Sequence, residues 1–360
     1  MSDFKEEFYL GANTAKGFVS LYNQLTEDKN HNKIFVIKGG PGTGKSTIMK
    51  KVGEWFSKKG DVEYCHCSSD PDSIDVVILK NIGISVLDGT PPHIVEPKFP
   101  GAFESIVDLY PLWDEKGLEK KRREIERISK ICSGCHEKAV KYISIASILS
   151  NSNMLIEEAA LNKEKAGLFA DRIIKKIMAE KRNGEGHESV RFLSAITPKG
   201  VYMYDSMVTK NYNNIYVLED EYGTVSSFIL DKIRYSLLKN NYKFITCYCV
   251  LSPHQKIEHI FVPEIKTAFV TSNSFHRFKI NEDNHVIRTR RFLDVKILQE
   301  NKQKLKFNSD VKNEMIEQAI KNMKEAKSYH DELEKIYTSN VNFKKMDEVV
   351  DNLIRRINRD

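Results

Sequence analysis

The apolar positions of the chain fall into two rhythms, and each recurs in both halves. Ile34 to Ile37 form a short apolar run, the pattern of a buried parallel strand. After a glycine-rich turn, Ile48, Val52 and Trp55 or Phe56 return at helical spacing. Ile84, Val86 and Leu87 make another run that ends at Asp88 and breaks at Gly89. From 118 to 182 the helical period continues with few breakers, and 308–360 repeats that character. A polar, glycine-containing stretch, KRNGEGHES at 181–189, reads as a linker. ISIASILSNSNMLIEEA and ELEKIYTSNVNFKKMDEV resemble each other and predict two helical hairpins.

The two halves also align residue by residue. Ala12, Thr14, Lys16 and Gly17 recur as Ala195, Thr197, Lys199 and Gly200. NKIFVIKGGPGTGKSTIMKKV aligns with NNIYVLEDEYGTVSSFILDKI, so Gly42, Thr43, Ser46 and Lys51 match Gly223, Thr224, Ser227 and Lys232. CHCSSDP at Cys65 matches CYCVLSP at Cys247, and His93 aligns with His276. A string of matches in one order marks an internal repeat. The expected fold class is therefore α/β: two tandem P-loop NTPase domains, each a parallel sheet flanked by helices and followed by its own helical hairpin. The expected boundaries are 1–117 and 189–300 for the two cores, 118–188 for a lid-like hairpin with linker, and 301–360 for the C-terminal hairpin.

Composition narrows the class. The chain has 360 residues, 41% of them hydrophobic and 29% charged, which fits folded domains and excludes collagenous or disordered chains. No apolar run approaches the roughly 20 residues that cross a bilayer. The start, MSDFKEEFYL, lacks an apolar signal core, so a cytoplasmic location is expected. The net charge of +6 permits a polyanionic partner without arguing for one.

One motif carries specific chemistry. Gly39, Gly40, Pro41, Gly42, Thr43, Gly44, Lys45, Ser46 and Thr47 match the phosphate-binding pattern G-x-x-x-x-G-K-[ST], between a strand pattern and a helix pattern. Glycines let the backbone curl round phosphates, and successive N–H groups with the helix N-terminus face the anion. Lys45 is expected to reach the terminal phosphates and Ser46 to hold Mg²⁺. A further metal ligand is expected at the end of a neighbouring strand. Asp88 is the first choice, and Asp70 or Asp72 the rival.

The second copy lacks this chemistry. Gly39, Gly40, Gly44 and Lys45 become Asp220, Glu221, Val225 and Ser226, and Glu219 adds a third acid. A loop with acids and no lysine repels phosphate, so no nucleotide is expected there. Arg288, Arg290, Arg291, Lys16 and Lys199 are candidates for a cation aimed at the first site from elsewhere. Lys120, Lys121, Arg122, Arg123 and Arg127 are interspersed with acids and read as a solvated helix face.

The cysteines come in close pairs. Cys65 with Cys67, and their repeat equivalents Cys247 with Cys249, read as strand cysteines packed like small hydrophobes. Cys132, Cys135 and His136 fall on one helix face, where a zinc site would need another ligand from elsewhere in the fold.

ANTAKGF, GGPGTGKST, CHCSSDPDSID and VLDGTPPHIVEPKFPG, with AITPKG and the altered second loop, resemble a family of tandem P-loop ATPase-like proteins of spore-forming Gram-positive bacteria. Its members are described as ATP-binding proteins or nucleotide kinases on the loop motif. The resemblance implies one Mg²⁺–ATP site, with GTP left open. The missing Asp-Glu pair after the Asp88 strand argues against a strong hydrolase. Three functions compete: an NTPase whose one site drives a conformational change; a small-molecule or nucleotide kinase with Asp70 or Asp72 at the acceptor hydroxyl; and a nucleotide-gated interaction protein, with nucleic acid a conceivable partner but no recognition module present.

Overall fold

Both halves run through the same elements in the same order in the computed structural model, which describes residues 5–28, 31–92, 94–178 and 180–359. The first comprises β1 (Lys5–Phe8), β2 (Gly11–Thr14), β3 (Gly17–Ser20), α1 (Asn23–Glu27), β4 (Lys33–Lys38), α2 (Lys45–Ser57), β5 (Val62–His66), β6 (Ile74–Leu79), β7 (Ile84–Asp88), β8 (Glu104–Asp108), α3 (Glu115–Lys120), α4 (Arg122–Ala160) and α5 (Lys163–Ile177). The second repeats the series. Its elements are β9 (His187–Arg191), β10 (Ser194–Thr197), β11 (Gly200–Met203), α6 (Asp205–Asn211), β12 (Asn214–Glu219), α7 (Thr224–Lys239), β13 (Lys243–Tyr248), β14 (Ile257–Val262), β15 (Thr267–Ser272), β16 (His285–Arg288), α8 (Val295–Glu300), α9 (Lys302–Thr338) and α10 (Met346–Ile357).

Each half builds a six-stranded sheet of one topology, β1-β5-β6-β7-β4-β8 in the first and β9-β13-β14-β15-β12-β16 in the second. The expectation of a parallel sheet needs correction. β6 runs antiparallel to both β5 and β7, and β14 does the same between β13 and β15. The cause is the short connection: β5 returns directly as β6 through a loop, with no crossover helix to make the pair parallel. Even the irregularities match, with a register shift after Cys65 in one sheet and after Cys247 in the other.

The halves meet about a local two-fold relation. Tyr9 and its repeat equivalent Phe192 exchange backbone hydrogen bonds of 2.8 and 3.0 Å. Beside them Glu63 of β5 pairs with Arg191 of β9, both almost fully buried. Burial opposes charge on Glu63, yet Arg191 and Lys80 hold its carboxyl down at about 2. The central core joins both halves, from Phe8, Ile34 and Val36 to Phe192, Val217 and Phe261.

α4 and α9 span roughly 55–60 Å each at 1.5 Å per residue. They lie antiparallel, with Ile128 against Leu333 and Ile336 at one end and Asn153 hydrogen-bonded to Leu305 and Ser309 at the other. Ala139, Ala146, Ala319 and Ala326 are small and fully buried along them. The polar SNSN run at 150–153 does not make the expected turn. α4 continues to Ala160, because Asn153 and Ser152 turn their polar groups onto α9.

This pair corrects a second expectation. Neither half keeps its own hairpin. α5, from the first half, packs Ala166, Ala170 and Ile173 against Val225, Ile229 and Ile233 of α7 in the second. α10, from the second half, packs Met346, Val350, Leu353 and Ile357 against Ile48, Val52 and Phe56 of α2 in the first. The two halves exchange their closing helices. Antiparallel β-bridges mark the crossings, Leu161 with Leu293 and Trp113 with Val341.

Leu353→Ala removes a fully buried side chain and should cost about 2–5 kcal/mol. Because one core joins the halves, the readout has to be local: in native-state hydrogen exchange, Leu353→Ala should speed exchange in α2 of the first half, and Ile173→Ala should speed it in α7 of the second. The reverse assignment would contradict the exchange.

Candidate functional site

The loop after β4 shows why its glycines are there. Gly42 and Gly44 take positive φ of 65° and 86°, where a side chain strains the backbone. A β-carbon on Gly40 would stand 2.9 Å from the Tyr337 ring, and one on Gly42 would stand 2.6 Å from the Thr338 hydroxyl. Both neighbours come from the end of α9, so the second half covers the first half's loop. The Thr338 hydroxyl is 3.4 Å from the Gly42 carbonyl. Met346 at the start of α10 closes on Gly44.

Lys45 opens α2 and folds back over the loop. Its ammonium donates to the carbonyls of Gly39 and Gly40 at 2.9 Å each and stands 3.5 Å from Asp88. Asp88 ends β7, the immediate neighbour of β4, which is why it reaches this lysine. Thr90 donates to it from both backbone and hydroxyl. Burial pushes the Asp88 carboxyl up against the pull of Lys45. The Ser46 hydroxyl accepts the Ile74 amide at 2.9 Å, while Thr47 is exposed on the first turn of the helix. Thr43 donates to the Gly40 carbonyl at 2.7 Å, and Pro41 is half-buried at the loop's crest. α2 begins with no side-chain cap and no acid in its first turn.

Asp70 and Asp72 are placed differently. Asp70 accepts the Ser73 hydroxyl and lies 3.6 Å from Lys327 of α9. Asp72 pairs with Lys199 at 2.6 Å. Both cations come from the other half. Among the other proposed cations, Arg288 pairs with Glu219 in its own half, and Arg291 stacks on Phe169 and Phe292. Arg290 is exposed in the same second-half turn, and Lys16 is exposed at the β2–β3 turn. The sequence therefore misses the residues that do approach the first loop, Tyr337 and Thr338 at the end of α9 and Met346 at the start of α10, as well as Lys327 of α9, which faces Asp70. Nothing local to the motif marks them.

The second loop differs in both backbone and contents. Gly223, the counterpart of Gly42, has a φ of 86° and α7 starts directly after it at Thr224, so Val225, the counterpart of Gly44, lies inside the helix. Asp220 accepts the Ser226 amide at 2.6 Å, and Glu157, reaching over from α4, accepts the Thr224 amide at 2.9 Å. Carboxyl oxygens from the chain thus occupy the amides at the helix N-terminus, where an anion is favoured. The lysine stem of Lys256 fills the space beside Gly223. Burial opposes its charge, but Cys249, Glu258 and Asp220 around it keep the ammonium protonated. The expected three acids are therefore not equivalent: Asp220 turns in, Glu219 faces Arg288, and Glu221 accepts from Ser274.

Glu258, His259 and His276 bring ligand-type atoms within 4.8 Å of one another below this loop. A cation is already supplied there, since Lys256 lies 3.3 Å from Glu258, and the Thr271 amide donates to His259 Nδ1. His93, aligned with His276, lies outside the described residues. All six cysteines are free thiols, and burial pushes those of Cys65, Cys67, Cys247 and Cys249 up. The Cys132 thiol meets the Ala326 carbonyl, and among the described residues no metal-ligating group includes it, Cys135 or His136. The basic cluster from Lys120 to Arg127 is exposed and solvated.

Known proteins add no assignment: no family model, curated protein or solved structure matches the chain.

Glu157 yields a pH test. Burial and the facing Asp220 push its carboxyl from 4.5 up to about 9. The folded state thus holds a proton that the unfolded chain releases, so this stabilisation is full below pH 4.5 and fades as pH rises toward 9. Glu157→Gln keeps an acceptor for Thr224 and a donor toward Asp220. Its melting temperature should exceed that of the parent at pH 8.5, and the gap should close near pH 4.5.

Proposed function

We propose that the first half binds a Mg²⁺–nucleoside triphosphate at Gly39–Thr47, ATP or GTP, and that the second half binds none. The observation that carries this reading is the position of Lys45. Its ammonium sits between two loop carbonyls and the Asp88 carboxylate, at the mouth of a helix whose first turn has no internal anion. The residues fit the ligand. The loop glycines leave no room for side chains, Lys45 would take the terminal phosphates, and Ser46 with Asp88 would hold the metal. Bound Mg²⁺ supplies charge neutralisation between the phosphates. Asp88, already beside Lys45, offers no second carboxylate next in the chain, in keeping with slow hydrolysis and a conformational role.

The kinase reading is weaker. Asp70 and Asp72 are engaged by Lys327 and Lys199, so neither stands free as a base for an acceptor hydroxyl. No helix among the described residues is long and apolar enough to cross a membrane.

Calorimetric titration of ATP and GTP with Mg²⁺ tests the site. The wild type should bind one of them, and Lys45→Ala should weaken binding at least tenfold while leaving the melting temperature of the free protein within about 2 °C. Equal affinity in the two proteins would refute the reading.

A further inference from the structure

The loop between β5 and β6, residues 67–73, touches the first site on one side and the second half on the other. Toward the site, the Ser46 hydroxyl holds the amide of Ile74 where the loop ends, and Lys50 of α2 donates to the Asp72 carbonyl at 2.7 Å. Toward the second half, Asp70 faces Lys327 on α9, Asp72 pairs with Lys199 between β10 and β11, and the Pro71 carbonyl accepts the Tyr204 hydroxyl at 3.1 Å. The equivalent loop of the second half has lost both acids. There Ser252 and Pro253 stand for Asp70 and Pro71, and the contacts with α4 are neutral: Ser252 donates to Asn151, and Ser147 donates to the Leu251 carbonyl. Charged links across the halves thus occur at the loop with the open helix terminus and not at the one filled by the chain's own carboxylates.

We propose that residues 67–73 transmit occupancy of the first site to the middle of α9, with Lys327 as the positioning residue that receives it through Asp70. This rests on the reading of Gly39–Thr47 as a nucleotide site. Ser46 is the pivot, because a metal ion drawn to its hydroxyl competes with the Ile74 amide for the same oxygen. Any shift of Ile74 moves a seven-residue loop whose two acids are tied to the other half. α9 then carries the change along its packed face to α4, which is coupled to it along nearly its full length.

Hydrogen exchange read by mass spectrometry, with and without Mg²⁺ and a non-hydrolysable ATP analogue, tests this. Peptides covering 67–73 and 324–331 should gain at least twofold protection in the wild type. The end of α9 at 334–338 touches the loop directly and should respond in any case. In Lys327→Met and Asp70→Asn the response at 324–331 should fall by half or more. The response at the start of α2, and nucleotide affinity within threefold, should remain. An unchanged 324–331 response in both variants would overturn the proposal, as would nucleotide binding by the wild type with no response there. No binding of the analogue by folded wild type would instead remove the nucleotide reading itself, and this inference with it.

Discussion

The antiparallel pairing of α4 with α9 is the constraint on which the remaining structure depends. The two helices pack on small, fully buried residues, Ala139 and Ala146 on one and Ala319 and Ala326 on the other. Their length then decides where each chain segment emerges. α4 starts in the first half and ends over the loop of the second, and α9 does the converse. α5 and α10 have no freedom to return to their own sheets, and each completes the outer core of the other half. Neither core is closed without the other chain half, so the repeat is better described as an internal two-fold assembly than as two independent domains.

The same crossing explains how one repeat serves two different sites. Ser46 and Ser227 both hold the first amide of a later strand, but α2 starts after Gly44 whereas α7 starts two repeat positions earlier, after Gly223. The loops differ in what fills them. In the second half, Asp220 and Glu157 supply anionic or hydrogen-bonding oxygens to the helix amides, and Lys256 supplies the cation. The chain thereby provides its own pseudo-ligand. In the first half the position equivalent to Glu157 is taken by Tyr337, whose ring lies against Gly40, and no carboxylate among the described residues meets the helix terminus. Electrostatics at a helix N-terminus favours an anion in both cases. Only one of the two loops leaves that place to something other than the protein.

Much of this was legible in the residues. The loop motif, its flanking strand and helix, the duplication and the loss of Lys45's counterpart at Ser226 all follow from local patterns of side chains. Asp88 could be preferred over Asp70 because it ends an apolar run. Three features were not legible, for a common reason. The direction of β6 depends on a loop that replaces a crossover helix. The exchange of α5 and α10 depends on the path of α4, whose SNSN stretch suggests a break that inward-facing hydrogen bonds prevent. The contacts of Tyr337, Thr338 and Lys327 depend on that exchange. Periodicity reports which face of an element is buried, but not which partner buries it, and repeats offer two equally matched partners.

The claim that one loop is open to an anion and the other is filled by the protein itself reduces to a number of bound ligands. Native mass spectrometry of the intact chain with Mg²⁺ and a non-hydrolysable triphosphate, at concentrations that saturate any tight site, counts them directly. The structure predicts a single adduct, absent in Lys45→Ala. Two adducts on the wild type, or one adduct that persists in Lys45→Ala, would contradict it.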